Sequence, residues 1–204
     1  SGSLYSGYLT LCPDIQSDLV YAVQGNSNTY GNIWQWKILP TDPEVEAVYA
    51  ALYAVIGRCN YFLDCVDGLK RTLTDDEKIK YLDNLTGEVH SARALAYSEL
   101  VKLYCKAYEP ETADRELGVV LRTSFFNDEP VKRASLKDSY AFILEELRLA
   151  DSLLGDEYDS ANTPYFSNAA IHPDGFFRAE ERAGFLDARQ AARMEPLTAA
   201  LLFR

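Results

Sequence analysis

Two tryptophans close together in the chain are the residues best suited to bind a small ligand. Trp34 and Trp36 lie two positions apart, so in an extended segment their rings project from the same face. Flat aromatic rings suit the apolar faces of sugars, and neighbouring polar groups can bind hydroxyls. The residues that complete this candidate ligand site are Asp18, Asn26, Asn28, Tyr30 and Asn32. The alternative is that both tryptophans only anchor the segment on the rest of the fold.

A second group, Glu88, His90 and Arg93, falls within one or two helical turns and invites a catalytic interpretation. Glu88 and Arg93 are five positions apart, which fits the usual i,i+4 ion pair poorly. A single histidine lacks the further ligands that a metal site needs. We therefore predict that Glu88 and Arg93, together with Asn60, form a structural network that fixes neighbouring loops or helix ends.

Motifs for enzymatic chemistry are absent from the sequence. It contains no G-x-S-x-G, P-loop or G-x-G-x-x-G pattern, and only two histidines. Nothing singles out a pair among the 31 Asp and Glu residues as glycosidase carboxylates. Asp75 and Asp76 are better interpreted as first-turn charges that favour a helix dipole. We expect no cofactor, no metal and no enzymatic activity.

The composition is that of a folded, acidic chain. With 204 residues, 48% of them apolar, it can bury a core as one domain. The formal charge of −11 disfavours nucleic acid and anionic lipid surfaces as partners. No stretch approaches the roughly 20 apolar residues of a membrane-spanning helix. The start at Ser1, without Met or a secretion signal, is interpreted as a processed or engineered end.

The four cysteines lack the spacing of a metal-binding motif. Cys59 and Cys65 lie six positions apart, which on a helix places them on different faces, too far apart to bridge. We interpret the four, including Cys12 and Cys105, as small buried hydrophobes. A disulfide from Cys12 across the fold is the alternative.

A long amphipathic helix is predicted to follow residues 1–40, which we expect to be irregular. Apolar residues recur at three-four spacing from Val45 onward. Thr41 or Asp42 can cap this helix, a proline suits its first turn, and Gly68 can close it in a left-handed conformation.

A second helix is predicted to begin at the capping-box pattern of residues 74–77 and to end near Tyr108, where the apolar pattern fades. Small residues along it, such as Gly87, would let a neighbouring helix approach closely. Its apolar stripe is Leu82, Leu85, Val89, Ala92, Ala96, Leu100 and Leu103.

Two further helices complete the predicted fold. One starts at Ser135, with Asp138 in its first turn, and stops at Gly155, while a fourth begins at Ser167. Long amphipathic helices with modest connections predict an all-α fold of antiparallel helix pairs in a tetratricopeptide-like array.

Five segments, in order, resemble the SusD/RagB family of outer-membrane nutrient-binding lipoproteins of Bacteroidetes. The strongest is GEVHSARALAYSELV at 87–101, which follows the family's "GEa.f.RAlaYf.Lv" signature. The others are 49–60 (similar to "Y..I..aN"), 117–121 (near "GvPL", with valine for the usual proline), 133–143 (similar to "R.sv.e.Y..I") and 165–172, the start of a further helix.

The resemblance implies a non-catalytic protein that captures glycans or other nutrients at the cell surface. It would act as a lid on a TonB-dependent, SusC-like outer-membrane transporter, held by a lipid anchor that lies outside this sequence. Loops bearing aromatic and polar groups would form the ligand face. A helical-repeat adaptor that binds a protein partner through a groove, and a hydrolase on a helical scaffold, are the alternatives.

The resemblance ends at His172. The family would continue with a helix like "ALLARvyLY", whereas this chain has Pro-Asp-Gly, a turn signal. Every basic residue in 173–204 is arginine, and the segment lacks Lys, Tyr and Val. We predict that 173–204 is a non-native or truncated tail, with a divergent native tail as the alternative. Family members are more than twice as long, so much of their ligand-binding half has no counterpart here.

Overall fold

Helices make up most of the part of the chain that the structure describes. The computed structural model describes residues 4–17, 20, 23, 29–127 and 130–154. The predicted all-α class is confirmed. In chain order the elements are α1 (Tyr8–Gln16), α2 (Gly31–Trp34), α3 (Pro43–Lys70), α4 (Asp76–Tyr104), β1 (Leu117–Val120), β2 (Arg133–Ser135) and α5 (Leu136–Leu153).

Helix α3 begins where the sequence predicts and runs past its predicted end. Pro43 occupies the first turn, where its missing N–H has no helical partner to lose. The prediction that Gly68 ends the helix is wrong, because the helix continues to Lys70 with Arg71 at the C-cap. Gly68 lies inside the helix, and its φ is outside the left-handed region, so it does not adopt the conformation that would end the helix there.

Helix α4 is capped one residue later than the capping box predicts. Asp75, rather than Thr74, supplies the cap, since its Oδ1 accepts hydrogen bonds from the backbone N–H groups of Glu77 at 3.1 Å and Lys78 at 3.5 Å. The helix ends at Tyr104, before the apolar pattern fades, because the backbone of the next residue becomes extended.

The buried face of α4 is rotated away from the predicted apolar stripe. Leu85 and Val89 are only half-buried, whereas small and polar side chains are buried between them. The reason is the close approach of α5: a Cβ on Gly87 would stand 2.8 Å from Leu154 Cγ and 3.2 Å from the Ala150 carbonyl oxygen. Close packing therefore selects small residues over apolar ones, and the predicted close approach is confirmed.

Helices α3, α4 and α5 pack as antiparallel neighbours. The start of α3 meets the end of α4, where the Tyr104 hydroxyl donates to the Val45 carbonyl at 2.8 Å. The opposite ends are joined by a 2.6 Å ion pair between Lys70 and Asp83. The end of α5 lies over the early part of α4, at Gly87. The largest fully buried apolar side chains fill the core of this array, among them Ile56, Tyr97, Leu100, Leu136 and Ile143.

Helix α5 begins at the predicted place, with Ser135 as its N-cap, and the Ser135 hydroxyl accepts from the Asp138 backbone N–H at 3.0 Å. Strands β1 and β2, which the sequence analysis did not predict, pair antiparallel just before it. A Cβ on Gly118 would overlap the Ser139 hydroxyl and the Ser135 carbonyl. Glycine at this position therefore lets β1 lie directly against the first turn of α5.

The N-terminal region is more regular than predicted. Residues 1–40, expected to be irregular, contain α1 and α2. Helix α1 contains Pro13, a residue that usually argues against a helix, so the sequence does not indicate it. Leu9 of this helix packs into the main core. The predicted stop at Gly155, the fourth helix from Ser167 and the tail 173–204 lie outside the described residues.

All four cysteines are free thiols. Cys59 and Cys105 are buried as predicted, while Cys12 is half-buried without the alternative disulfide. The prediction is wrong for Cys65, which is exposed. Six positions along a helix rotate a side chain by about 240°, so α3 buries Cys59 against α4 and turns Cys65 away from it.

Candidate functional site

The aromatic segment, residues 30–36, is a tight helical turn. Trp34 N–H donates to the Tyr30 carbonyl at 2.9 Å, and α2 occupies the middle of the segment. Tyr30 and Trp36 flank the turn, each with a φ of 58°. This left-handed conformation costs a non-glycine residue on the order of 1 kcal/mol or more. The expectation that both tryptophans project from one face of an extended segment is wrong, because the segment coils.

The turn gives the aromatic side chains different environments. Trp34 keeps 40% of its surface exposed, whereas Trp36 is half-buried. Tyr30 is also half-buried, and its ring meets that of Tyr8 edge to face at 6.1 Å. Trp34 is therefore the most exposed ring of this segment, while Tyr30 packs against Tyr8.

Asp42 holds the aromatic segment to the start of α3. The sequence predicts that Thr41 or Asp42 caps this helix. Asp42 does occupy the N-cap position, but its side chain makes no capping hydrogen bond. Instead Oδ1 accepts from Asn32 Nδ2 at 2.9 Å, and Oδ2 accepts from the Leu39 backbone N–H at 2.8 Å. Only 7% of Asp42 is exposed, so its carboxylate is largely removed from water and both bonds are partly buried. Asn32 itself is exposed, and Asp18, Asn26 and Asn28 lie outside the described residues.

A cleft of about 260 Å³ opens between the start of α3 and β1. Tyr49, which is 39% exposed, and the exposed Glu46 line it, with Pro40 at its edge. The Arg133 guanidinium also lines the cleft, but it donates to the carbonyls of Gly118 at 2.6 Å and of the end of α4 at 3.3 Å. Since the Arg133 guanidinium is bonded to main-chain carbonyls, the groups that the cleft offers to a ligand are mainly the Tyr49 ring and the Glu46 carboxylate.

A buried ion cluster, formed by Asn60, His90, Arg93 and Glu146, joins α3, α4 and α5. Arg93 binds Glu146 with two hydrogen bonds, Nε to Oε2 at 2.6 Å and Nη2 to Oε1 at 2.7 Å. Its Nη1 donates to Asn60 Oδ1 at 2.7 Å. The structure thus brings the predicted residues Arg93 and Asn60 together. Glu146, which the sequence analysis missed, completes the cluster.

The cluster is sealed and holds Glu146 as a carboxylate. Arg93 is 5% exposed and Glu146 is 3% exposed, and His90 Nδ1 lies 3.0 Å from Glu146 Oε2. Burial alone would raise the pKa of Glu146, but hydrogen bonds from His90 and Arg93 outweigh it and hold that pKa below its ordinary value. Because Arg93 and Glu146 are almost fully buried and bonded to each other, the geometry favours a structural role over acid–base chemistry.

Glu88, the third residue of the predicted network, is not part of the buried ion cluster. It lies half-buried on α4 and, among the described residues, makes no hydrogen bond to the four members of the cluster. Partial burial raises its pKa above the ordinary value. The helical spacing explains this, because five positions rotate Glu88 by about 140° from Arg93.

Side chains of α3 and α4 hold the main chain of residues 120–127, which we call the tethered loop. The Tyr97 hydroxyl donates to the Arg122 carbonyl at 2.8 Å and accepts from its N–H at 2.7 Å. The Tyr53 hydroxyl does the same for the last residue of β1, at 3.0 and 3.1 Å. Asn60 Nδ2 also donates to the Arg122 carbonyl, at 2.9 Å. Through Asn60, the buried ion cluster therefore fixes this loop.

The described residues contain no helix long and apolar enough to cross a membrane. In the same part of the chain, no three His, Cys, Asp or Glu side chains group as a metal site would require.

Comparisons with known proteins point to one family. A family model described as "Starch-binding associating with outer membrane" (SusD-like) matches residues 8–172. Among curated proteins, none matches the chain significantly.

Solved structures with the same fold include proteins from Bacteroides. A putative sugar binding protein from Bacteroides vulgatus ATCC 8482 superposes with a TM-score of 0.68 at 19% identity, over 98% of this chain and 43% of its own. A SusD superfamily protein from Bacteroides fragilis gives a TM-score of 0.63 at 25% identity, over 79% and 37%. A SusD-like protein from Bacteroides fragilis NCTC 9343 is 28% identical, with a TM-score of 0.53 over 68% and 24%. The chain therefore spans less than half the length of these proteins.

Proposed function

The chain belongs to the SusD-like family, and we propose that it is a non-catalytic carbohydrate-binding protein that contacts its ligand through the aromatic segment. The family match over residues 8–172 supports the ligand class, since the family is described as starch-binding. Neutral glycans also suit an acidic chain, because they suffer no repulsion from its charge of −11.

The observation that carries this proposal is the strained backbone of the aromatic segment. Tyr30 and Trp36 are the only non-glycine residues with positive φ in the described part of the chain, and they bracket the exposed Trp34. Residues held in costly conformations cluster at ligand sites, where the strain fixes a geometry in advance of binding. Here the fixed geometry presents one indole ring to solvent, and Asp42 fastens the segment to α3.

The site has the parts that a sugar needs. The Trp34 ring can cover the apolar face of a pyranose, and the exposed Asn32 can bind its hydroxyls. The cleft lined by Tyr49 and Glu46 reaches the same end of α3 through Pro40. We assign the second contact of an oligosaccharide to that cleft.

We extend the proposal to location and partner on the strength of the family description. The intact protein would be lipid-anchored at the outer membrane and would deliver its ligand to a TonB-dependent transporter. Purification of the full-length protein from gently solubilised outer membranes should then recover such a transporter in a stoichiometric complex. Recovery of the full-length protein alone would count against the partnership.

Binding is tested directly by isothermal titration with maltoheptaose and by affinity electrophoresis in gels that contain soluble starch. We expect retardation of the wild-type chain, and Trp34→Ala should weaken binding at least about tenfold, as removal of a central aromatic contact does. Tyr81→Ala is the matched control, because Tyr81 is 66% exposed on α4. Chromatography of the sugar after incubation should show intact maltoheptaose. Release of shorter products by the purified chain would contradict a non-catalytic role.

A further inference from the structure

Three large aromatic side chains lie exposed together where α3 meets the tethered loop. They are Tyr61, Phe125 and Phe126, with 52%, 53% and 66% of their surfaces exposed, and we call them the aromatic patch. The Tyr61 ring centroid lies 5.3 Å from that of Phe125 and 5.9 Å from that of Phe126, and the two phenylalanines are 5.3 Å apart. Each ring therefore touches the other two while keeping about half of its surface in water.

The exposure of the aromatic patch is imposed by a fixed backbone. Asp64, one turn after Tyr61 on α3, accepts hydrogen bonds from the Ser124 hydroxyl at 2.9 Å and from the Phe125 N–H at 2.8 Å. Arg122 Nη1 donates to the Asn127 carbonyl at 2.8 Å, which closes the tethered loop on itself. With the Tyr97 and Asn60 bonds, the loop is held from both ends. A preorganised aromatic surface loses little conformational entropy when a ligand binds.

We propose that the aromatic patch is a second carbohydrate-binding surface, which takes the apolar faces of neutral sugar rings. This inference rests on the proposed function, since it assigns the same ligand class to a different surface. Two of the three ring pairs meet edge to face and the third is tilted, so the exposed apolar surface of the patch is uneven rather than flat, and the Tyr61 phenol and the Ser124 hydroxyl beside the rings can hydrogen-bond to sugar hydroxyls.

The size of the patch favours a sugar over a protein partner. A large aromatic side chain carries 150–250 Å² of surface, so three half-exposed rings offer on the order of 300 Å². A stable protein interface buries about 800 Å² on each partner. One or two sugar rings need far less, and the patch fits that requirement.

The aromatic patch and the aromatic segment lie at different places along α3. Tyr61 is 18 residues beyond Pro43, which at 1.5 Å per residue separates the two surfaces by roughly 27 Å along the helix. A short oligosaccharide bound at one surface does not reach the other. A polymer can engage both surfaces, and the second contact then adds avidity without changing the first.

The test compares retardation in starch gels for the wild-type chain, Trp34→Ala, the double variant Phe125→Ala/Phe126→Ala and the control Tyr81→Ala. We expect each lost ring of the patch to reduce affinity for soluble starch by about twofold to tenfold. The control should migrate like the wild type. If the double variant has a lower melting temperature, the single variant Phe126→Ala decides the matter, because Phe126 is the most exposed of the three rings.

The outcomes separate the two proposals. Starch retardation that is reduced in the patch variants, with unchanged melting temperature, supports the inference. Retardation that is lost in Trp34→Ala but unchanged in the patch variants overturns the inference and leaves the proposed function standing. A wild-type chain that no glycan retards overturns both. If sedimentation shows that the wild type dimerises and the patch variants are monomers, the patch is a self-association surface and the inference is wrong.

Discussion

Replacing Glu146 with glutamine removes the negative charge from the buried ion cluster and leaves Arg93 buried without a counter-charge. Arg93 is 5% exposed, so water cannot replace the lost carboxylate. Breaking a buried ion pair from one side costs about 3–5 kcal/mol. A domain of this kind has a free energy of unfolding of about 5–15 kcal/mol, so this single change removes a large share of it.

Urea unfolding followed by circular dichroism at pH 7 measures the loss. With an m-value of about 2 kcal/mol/M, the midpoint should fall by about 2 M. Glu145→Gln is the matched control, because Glu145 is adjacent in sequence with its side chain 61% exposed, and it should shift stability by less than about 0.5 kcal/mol. Equal, small shifts for both variants would refute the conclusion that the cluster stabilises the fold.

A double-mutant cycle isolates the pair itself. Arg93→Met, Glu146→Met and the double variant should give a coupling free energy of about 1–3 kcal/mol, because the two side chains share two short hydrogen bonds. A coupling near zero would mean that each residue stabilises the fold through other neighbours.

Three further predictions follow from the packing and the charges. The pKa of Glu146 is lower in the folded than in the unfolded state. Its contribution to the free energy of unfolding is therefore complete above the unfolded pKa of about 4.3 and is lost as pH falls through the folded pKa. When the pH is lowered from 7 to 3, the urea midpoint should fall more steeply for the wild type than for Glu146→Gln. Gly87→Ala should destabilise the fold by about 1–3 kcal/mol in thermal melts, because the new Cβ would stand 2.8 Å from Leu154 Cγ. Gly57→Ala is the control: a Cβ there meets nothing within 4 Å, so it should stabilise the helix by about 0.5–1 kcal/mol. Asp75→Ala should cost about 1 kcal/mol through the lost cap, and an unchanged melting temperature would refute that role.

The three long helices could be predicted because burial on one face repeats at helical spacing. Predictions of helix ends and buried faces were wrong where a tertiary contact overrides the local sequence pattern. Gly68 looks like a helix stop, but a glycine ends a helix only when it adopts the left-handed conformation, and Gly68 stays helical. The apolar stripe on α4 was misplaced because the close approach of α5 at Gly87 buries small residues instead.

The candidate site could be predicted in part. The chemistry of Trp34 and Asn32 is legible in the sequence. The role of Asp42 is not, since only the folded segment brings the Leu39 N–H and the Asn32 amide to its carboxylate. The sequence does carry a signal for Glu146, because it lies three positions after Ile143, inside the buried face of α5. A carboxylate at a core position requires a cationic partner, and that requirement could have pointed to Arg93.

The Tyr53 and Tyr97 hydroxyls each act toward the tethered loop as a neighbouring strand would, giving one donor and one acceptor to a main-chain residue. These bonds go to main-chain atoms, so they make no demand on the side chains of Phe125 and Phe126, which point to solvent. The residues at these two positions can therefore be exchanged while the path of the loop is kept. A surface that is held in this way can diversify without any change in the helices beneath it.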